Sequence, residues 1–265
     1  MTSSVETFAG LSLEKPVMMG IVNAAPDSFS NNGKADDIDT ALSMVGQGAL
    51  IIDVGGESTR PKASPVSLKE ELSRVIPMVE ALAENDILIS IDTRKAKVME
   101  EAIKKGAKII NDISALTFDE DSMRIAARYE DVGVILCHST ESAEKTELYH
   151  DPAEDVFGYL EDRIKACEKS GIFRNRICID PGIGFGKTKE DNCRIISALG
   201  IFKKLECAVM AGVSRKSFIG EKDPRKRLGG SIAASLKAYE NGARLFRTHD
   251  VFETRQALSI WQELE

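Results

Sequence analysis

The sequence predicts an α/β protein folded as a closed (β/α)8 (TIM) barrel, with parallel strands and a ligand site at their C-terminal face. Short β-rich runs alternate with helical patterns eight times in 265 residues, the usual size of such a barrel. A helix separates each strand from the next, so every crossover returns the chain the same way and the sheet is parallel. Polar residues recur at the strand ends, although a barrel's inward-facing strand residues are mostly apolar.

The strands read, in order, as 17–22 (Val-Met-Met-Gly-Ile-Val), 50–54, 87–91, 108–113, 133–137, 176–179, 208–213 and 244–247. Each is a short apolar or β-branched run bounded by turn residues. The intervening helical patterns cover 38–47, 68–82, 96–105, 120–129, 153–169, 190–199 and 231–241, with a last helix over 251–264. An open doubly wound sheet is the rival architecture. It usually has fewer strands and a GxGxxG loop after the first, whereas here Asn23-Ala-Ala-Pro26 follows. No Pro/Gly/Ser-rich linker splits the chain, so residues 1–265 read as one domain. The segments 24–37, 55–67 and 140–151 are long and polar, the length of lids or binding loops.

Composition narrows the function classes. The chain is 43% hydrophobic and 29% charged with a net charge of −7, which suits a soluble domain and argues against nonspecific nucleic-acid binding. Five cysteines with no CxxC pair read as reduced core residues of a cytoplasmic protein. Three histidines without HxH or HExxH spacing argue against a zinc site. The N-terminus lacks a basic n-region and a long apolar run, and no segment is apolar for a bilayer's width.

The polar strand ends are Asn23, Asp53 with Glu57-Ser-Thr-Arg60, Asp92, Asn111-Asp112, His138, Asp180, Ser214-Arg-Lys-Ser217, and Arg247 with His249. Asp92, Asn111 and Asp180 suit the amidine-like edge of a heterocycle, because a carboxylate accepts two N–H bonds from one ring. The alternatives are that Asp92-Thr93 caps the next helix and that Asn111-Asp112 binds loop backbone. Asn23, Arg60, Lys216, Arg247 and His249 suit an anion such as a pyrophosphate with a magnesium ion. Asp53 lies inside its strand and reads as a buried partner orienting Arg247 or Arg60. Phe29 and Phe185 either close over a ligand or pack into the core. The run 222–227 reads as a solvated approach to a helix.

Asp180-Pro-Gly-Ile-Gly-Phe-Gly-Lys187 is a strand-end carboxylate followed by a glycine-rich turn at the mouth of a helix. Such a turn lets backbone N–H groups approach an anion, and Lys187 adds charge; turn geometry alone is the plainer explanation.

These residues resemble dihydropteroate synthase. The resemblance rests on Met19-Gly-Ile-Val-Asn-Ala-Ala-Pro-Asp-Ser-Phe-Ser30, Ile52-Asp-Val-Gly-Gly-Glu-Ser-Thr-Arg-Pro61, Ile91-Asp-Thr93 and Ile110-Asn-Asp-Ile113. The segments Asp180 to Lys187, Ser214-Arg-Lys-Ser217 and Arg247-Thr-His-Asp250 continue it in order. It implies a homodimeric, cytoplasmic barrel that joins 6-hydroxymethyl-7,8-dihydropterin diphosphate to 4-aminobenzoate with release of pyrophosphate. Asp92, Asn111, Asp180, Lys216 and Arg247 would hold the pterin. Asn23, Arg60, Arg247 and His249 would hold the diphosphate, with Asn23 on Mg2+. Phe29, Thr59, Pro61, Phe185 and Ser217 would line the aminobenzoate pocket, where sulfonamides compete. Catalysis would fall to Asn23, Arg60, Lys216, Arg247 and His249, which stabilise departing charge.

The chain departs from the family pattern at Ala24, Ala25, Asn31 and Asn32, at Arg94, and at Ser139 after His138. Two other readings share the aspartate and asparagine anchors: a barrel transferring methyl groups from a folate to a corrinoid, and a weakly active or non-catalytic homologue. The first of these has no need of Arg60, Arg247 and His249 around a diphosphate.

Overall fold

A computed structural model of the chain describes residues 5–24, 31–58, 64–140 and 149–264. It opens with a hairpin, β1 (Thr7–Phe8) and β2 (Leu11–Ser12). The barrel strands follow: β3 (Val17–Asn23), β4 (Ile51–Gly55), β5 (Ile89–Asp92), β6 (Ile109–Asp112), β7 (Gly133–Cys137), β8 (Ile177–Asp180), β9 (Ala208–Ala211) and β10 (Leu245–Thr248). The helices are α1 (Asn31–Gly46), α2 (Leu68–Ala83), α3 (Ala96–Lys104), α4 (Ser122–Arg128), α5 (Pro152–Lys169), α6 (Lys189–Ser197), α7 (Leu228–Glu240) and α8 (Val251–Leu264). Strands β3 to β10 pair in parallel, and β10 returns to β3 to close the barrel.

Two differences from the sequence reading matter. Helix α1 begins at Asn31, so the segment read as a loop over 24–37 gives up its second half to helix. The N-terminal hairpin was not anticipated. It turns through Ala9 and Gly10, both at positive φ, and carries Phe8 and Leu13 into the barrel's lower core.

That lower core shows why the strands alternate as they do. Met19, Ile51, Ile109, Cys178, Met210 and Leu245 face inward and pack with Phe8. Side chains two residues along a strand share a face. The next inward positions are therefore Asp53 after Ile51, Asn111 after Ile109, Asp180 after Cys178 and Arg247 after Leu245. The barrel is apolar at its N-terminal end and polar at its C-terminal end. The intervening positions, including Val54, Ile91, Ile110 and Ile179, pack outward against the helices.

Local signals fix the helix starts that set loop lengths. Ser67 caps α2 by accepting from Glu70 N at 3.2 Å. Asp151 caps α5 ahead of Pro152, and Thr188 with Asp191 forms a capping box on α6. Cys137, Cys167, Cys178 and Cys207 are buried as expected, but Cys193 is exposed on α6 and is no core residue.

Candidate active site at the C-terminal mouth of the barrel

Cross-strand register places Asn23, Gly55, Asp92 and Asn111 in one row across β3 to β6. Beside this row, Arg247 reaches across from β10. Its Nε donates to Asp53 Oδ2 at 2.6 Å and its Nη2 to Asp92 Oδ2 at 2.7 Å. Asn111 Nδ2 donates to the same Asp53 oxygen at 3.1 Å, which leaves the amide Oδ1 as an acceptor for a ligand. Asp53 is fully buried, and its Oδ1 has no hydrogen-bond partner among the described residues. The sequence reading of Asp53 as the buried partner of Arg247 holds; any contact with Arg60 lies outside the described residues.

The two alternative roles offered for the strand-end carboxylates separate cleanly. Asp92 caps no helix among the described residues: at the start of α3, Thr93 Oγ1 accepts from Lys95 N at 3.2 Å and Asp119 Oδ2 from Ala96 N at 2.9 Å. Asp112 does bind loop backbone, accepting from Ser114 N at 2.7 Å and Leu116 N at 3.0 Å. Asn111 instead turns into the barrel. Burial pushes the Asp92 carboxyl up to about 7, with Arg247 pulling it down. Burial also raises Asp180, opposed by the Gly182 N–H, which donates to its Oδ1 at 2.8 Å. Gly212 leaves the other side of Asp180 open, since a Cβ there would sit 3.4 Å from Oδ2.

Lys216 and Phe185 form the opposite wall. The ammonium lies 3.7 Å from the centre of the Phe185 ring. Burial lowers the Lys216 amine to about 8, with Asp180 holding it charged. Ser217, next along, is exposed at the start of a short 3-10 turn. The neighbouring Arg215 points away at positive φ and binds Asp250 through both Nε and Nη2. Ser214 Oγ accepts from His249 N and meets His249 Nδ1, both at 3.1 Å. Which of the two donates in the Ser214 Oγ–His249 Nδ1 contact depends on the His249 tautomer. These pairings tie the β9 and β10 loops together. Their residues were visible in the sequence, but their directions were not.

A buried charge network fixes the start of the loop after β4. Lys95 hydrogen-bonds both Glu57 and Glu71, and Thr93 Oγ1 donates to Glu71 Oε1 at 2.5 Å. Arg94 adds a 3.1 Å contact to Glu57 and stacks 4.0 Å from the Phe118 ring centre. No sequence signal singled out this network. Phe29, Thr59, Arg60 and Pro61 lie outside the described residues, as does the side chain of Asn31.

The glycine-rich turn requires a correction. Three of its N–H groups are spent inside the protein and do not face an anion: Gly182 N, Gly184 N and Phe185 N donate to Asp180 Oδ1, Asn192 Oδ1 and Gly182 O. Lys187 is likewise turned inward, donating to the carbonyls of Gly182 (2.8 Å), Phe185 (3.1 Å) and His138 (3.2 Å). The run 222–227 is also more than solvated, because Arg227 hydrogen-bonds the carbonyls of Glu221, Lys222 and Arg215.

The family described as Pterin binding enzyme matches residues 19–249. The dihydropteroate synthase of Escherichia coli is 41% identical over 261 residues, covering 94% of this chain and 92% of its own length. That of Bacillus subtilis is 42% identical over 246 residues, covering 90% and 85%. Among solved structures, Xanthomonas albilineans dihydropteroate synthase with 4-aminobenzoic acid aligns with a TM-score of 0.89 at 41% identity, covering 96% of this chain and 94% of that one. The same enzyme in complex with 7,8-dihydropteroate gives 0.86 at 39% identity, covering 96% and 95%. The chain therefore belongs to the pterin-binding enzyme family, among its dihydropteroate synthases.

Proposed function

We propose that this chain condenses 6-hydroxymethyl-7,8-dihydropterin diphosphate with 4-aminobenzoate, giving 7,8-dihydropteroate and pyrophosphate for folate synthesis. The observation that carries the reading is the constellation of Asp92, Asn111 and Asp180 with Arg247 on one barrel mouth. Two carboxylates and an amide acceptor match the N–H groups of an aminopyrimidinone. Arg247, with Nη1 unbonded among the described residues, and His249 are assigned to the diphosphate.

The chemistry asks for stabilisation of departing negative charge more than for a base. The C–O bond to the diphosphate breaks, the pterin methylene becomes electron-poor, and the aniline nitrogen captures it before losing a proton to solvent. Arg247, His249, Lys216, Asn23 and Arg60 are the groups assigned to the leaving charge. Phe185, with Phe29, Thr59, Pro61 and Ser217, is assigned to the aminobenzoate pocket, where sulfonamides would compete.

Magnesium fits as an ion that arrives with the diphosphate. No group of three His, Cys, Asp or Glu side chains among the described residues could hold a metal alone. The exposed amide of Asn23, at the end of β3, would supply one hard oxygen. Mg2+ commonly takes one or two protein ligands and completes its shell with phosphate oxygens and water. Bound there, it would neutralise charge on the leaving diphosphate.

A homodimer accords with α8, which exposes Phe252, Ile260 and Leu264 along one stripe. Cytoplasmic residence accords with five free cysteines. Growth of a synthase-deficient bacterium without added folate products, on expression of this chain, tests the reading; failure of a well-expressed protein to restore growth counts against it.

A further inference from the structure

The turn between Asp180 and Lys187 carries a role that the substrate assignments leave out. We infer that Lys187 is a positioning residue: its ammonium is the cation around which the turn folds, and it sets Phe185 against the substrate pocket. The inference rests on the synthase reading for its kinetic consequence alone.

Three backbone carbonyls converge on Lys187 Nζ, from Gly182, Phe185 and His138. Two belong to the turn and the third to the end of β7, so the ammonium pins the turn to the neighbouring strand. No carboxylate pairs with Lys187 among the described residues. Its charge is met by carbonyl dipoles, an arrangement that works only while all three oxygens point at it.

The turn's glycines serve this geometry. Gly182 has φ +71°, and a Cβ there would lie 1.8 Å from His138 O, one of the three ligating carbonyls. Gly186 has φ +66°, and its Cβ would lie 1.6 Å from Thr140 Oγ1. The chain passes so close to the end of β7 that only glycine fits, which brings the carbonyls within reach of the ammonium. Asn192 fastens the other side, accepting from Gly184 N at 2.7 Å and donating to Thr188 O at 2.7 Å.

The consequence falls unequally on the two substrates. Asp180 is a strand residue, held by β8 pairing with β7 and by Gly182 N. Phe185 has no such strand. Its carbonyl is fixed by Lys187 and its N–H by Gly182 O, and its ring meets Lys216. Removing the ammonium releases the Phe185 side of the site first.

Lys187→Met keeps the reach of the side chain and removes its donors. The expected result is a rise of about tenfold or more in KM for 4-aminobenzoate, with the Kd of 6-hydroxymethylpterin moved by less than about threefold. Lys187→Gln, which retains an N–H donor, should fall between wild type and Lys187→Met, and it replaces Lys187→Met if that variant does not fold. Lys187→Ala removes three methylenes and the ammonium, and leaves the three carbonyls facing the gap. Ethylammonium should raise its thermal midpoint and lower its aminobenzoate KM, while tetramethylammonium, with no N–H, should do neither. Unchanged aminobenzoate KM in Lys187→Met, or equal rescue by both cations, overturns the inference. If wild type forms no dihydropteroate yet ethylammonium still restores the midpoint of Lys187→Ala, the synthase reading has failed and the ammonium-centred turn stands.

Discussion

Arg247 on the last strand and Asp53 on the second barrel strand lie 194 residues apart in sequence, yet their Nε and Oδ2 atoms meet at 2.6 Å inside the barrel. Asp53 is wholly buried and Arg247 also contacts Asp92. The pair therefore closes the polar end of the barrel and orients the guanidinium before any ligand arrives. A buried carboxylate without such a partner would be costly, so the ion pair and the ligand site depend on one another.

Arg247→Ala should destabilise the protein by about 3–5 kcal/mol, because it removes the cationic partner of the buried Asp53 side chain. Urea unfolding measures this. Calorimetry should show the diphosphate ester losing more affinity than the bare hydroxymethylpterin. Equal losses would remove Arg247 from the diphosphate assignment.

Asp92 predicts a stability cost that rises with pH. Its folded pKa of about 7 lies above the ordinary 3.8, chiefly through burial. The folded protein thus holds a proton that the unfolded chain releases across that window, and stability falls as pH rises through it. Asp92→Asn should show a shallower fall between those values and a higher thermal midpoint at pH 8 than wild type, while binding pterin poorly. A variant with the wild-type slope would assign the pH dependence elsewhere.

Asp180→Ala should cost roughly 2–5 kcal/mol in pterin binding, since a buried heterocycle edge loses its acceptor. Titration with hydroxymethylpterin measures it. Near-normal affinity would reduce Asp180 to a brace for Gly182.

Phe8→Ala tests the division between the two ends of the barrel. Phe8 is 1% exposed in the lower core, so its loss should cost about 3–5 kcal/mol of stability. Aminobenzoate and pterin KM values should stay near those of wild type under conditions where the variant is folded. A selective rise in either KM would mean that the hairpin reaches the site.

The barrel was legible because its strands obey a simple alternation. Ile51 then Asp53, Ile109 then Asn111, and Leu245 then Arg247 each place an apolar and a polar side chain on the same inward face. The pairing of Asp53 with Arg247 could be anticipated, because a carboxylate inside a buried strand needs a cation. The hairpin escaped notice because Thr7–Phe8 and Leu11–Ser12 are too short to show a period. Helix α1 was started late because its first turn, Asn31-Asn-Gly-Lys34, is polar and contains glycine. Lys187 was misread because a glycine-rich turn can present N–H groups or carbonyls inward, and residue identity does not fix which. Arg215 and Lys216 are adjacent in sequence but point to different partners, and the left-handed backbone at Arg215 sets that difference.

The most direct test of the synthase assignment is a quench assay on the purified protein with pterin diphosphate, 4-aminobenzoate and Mg2+, following pyrophosphate and pteroate together. The account predicts that 7,8-dihydropteroate and pyrophosphate form in equal amounts when all three are present, and that Arg247→Ala abolishes the step. Tight pterin binding by a folded wild-type protein that forms no dihydropteroate would contradict it.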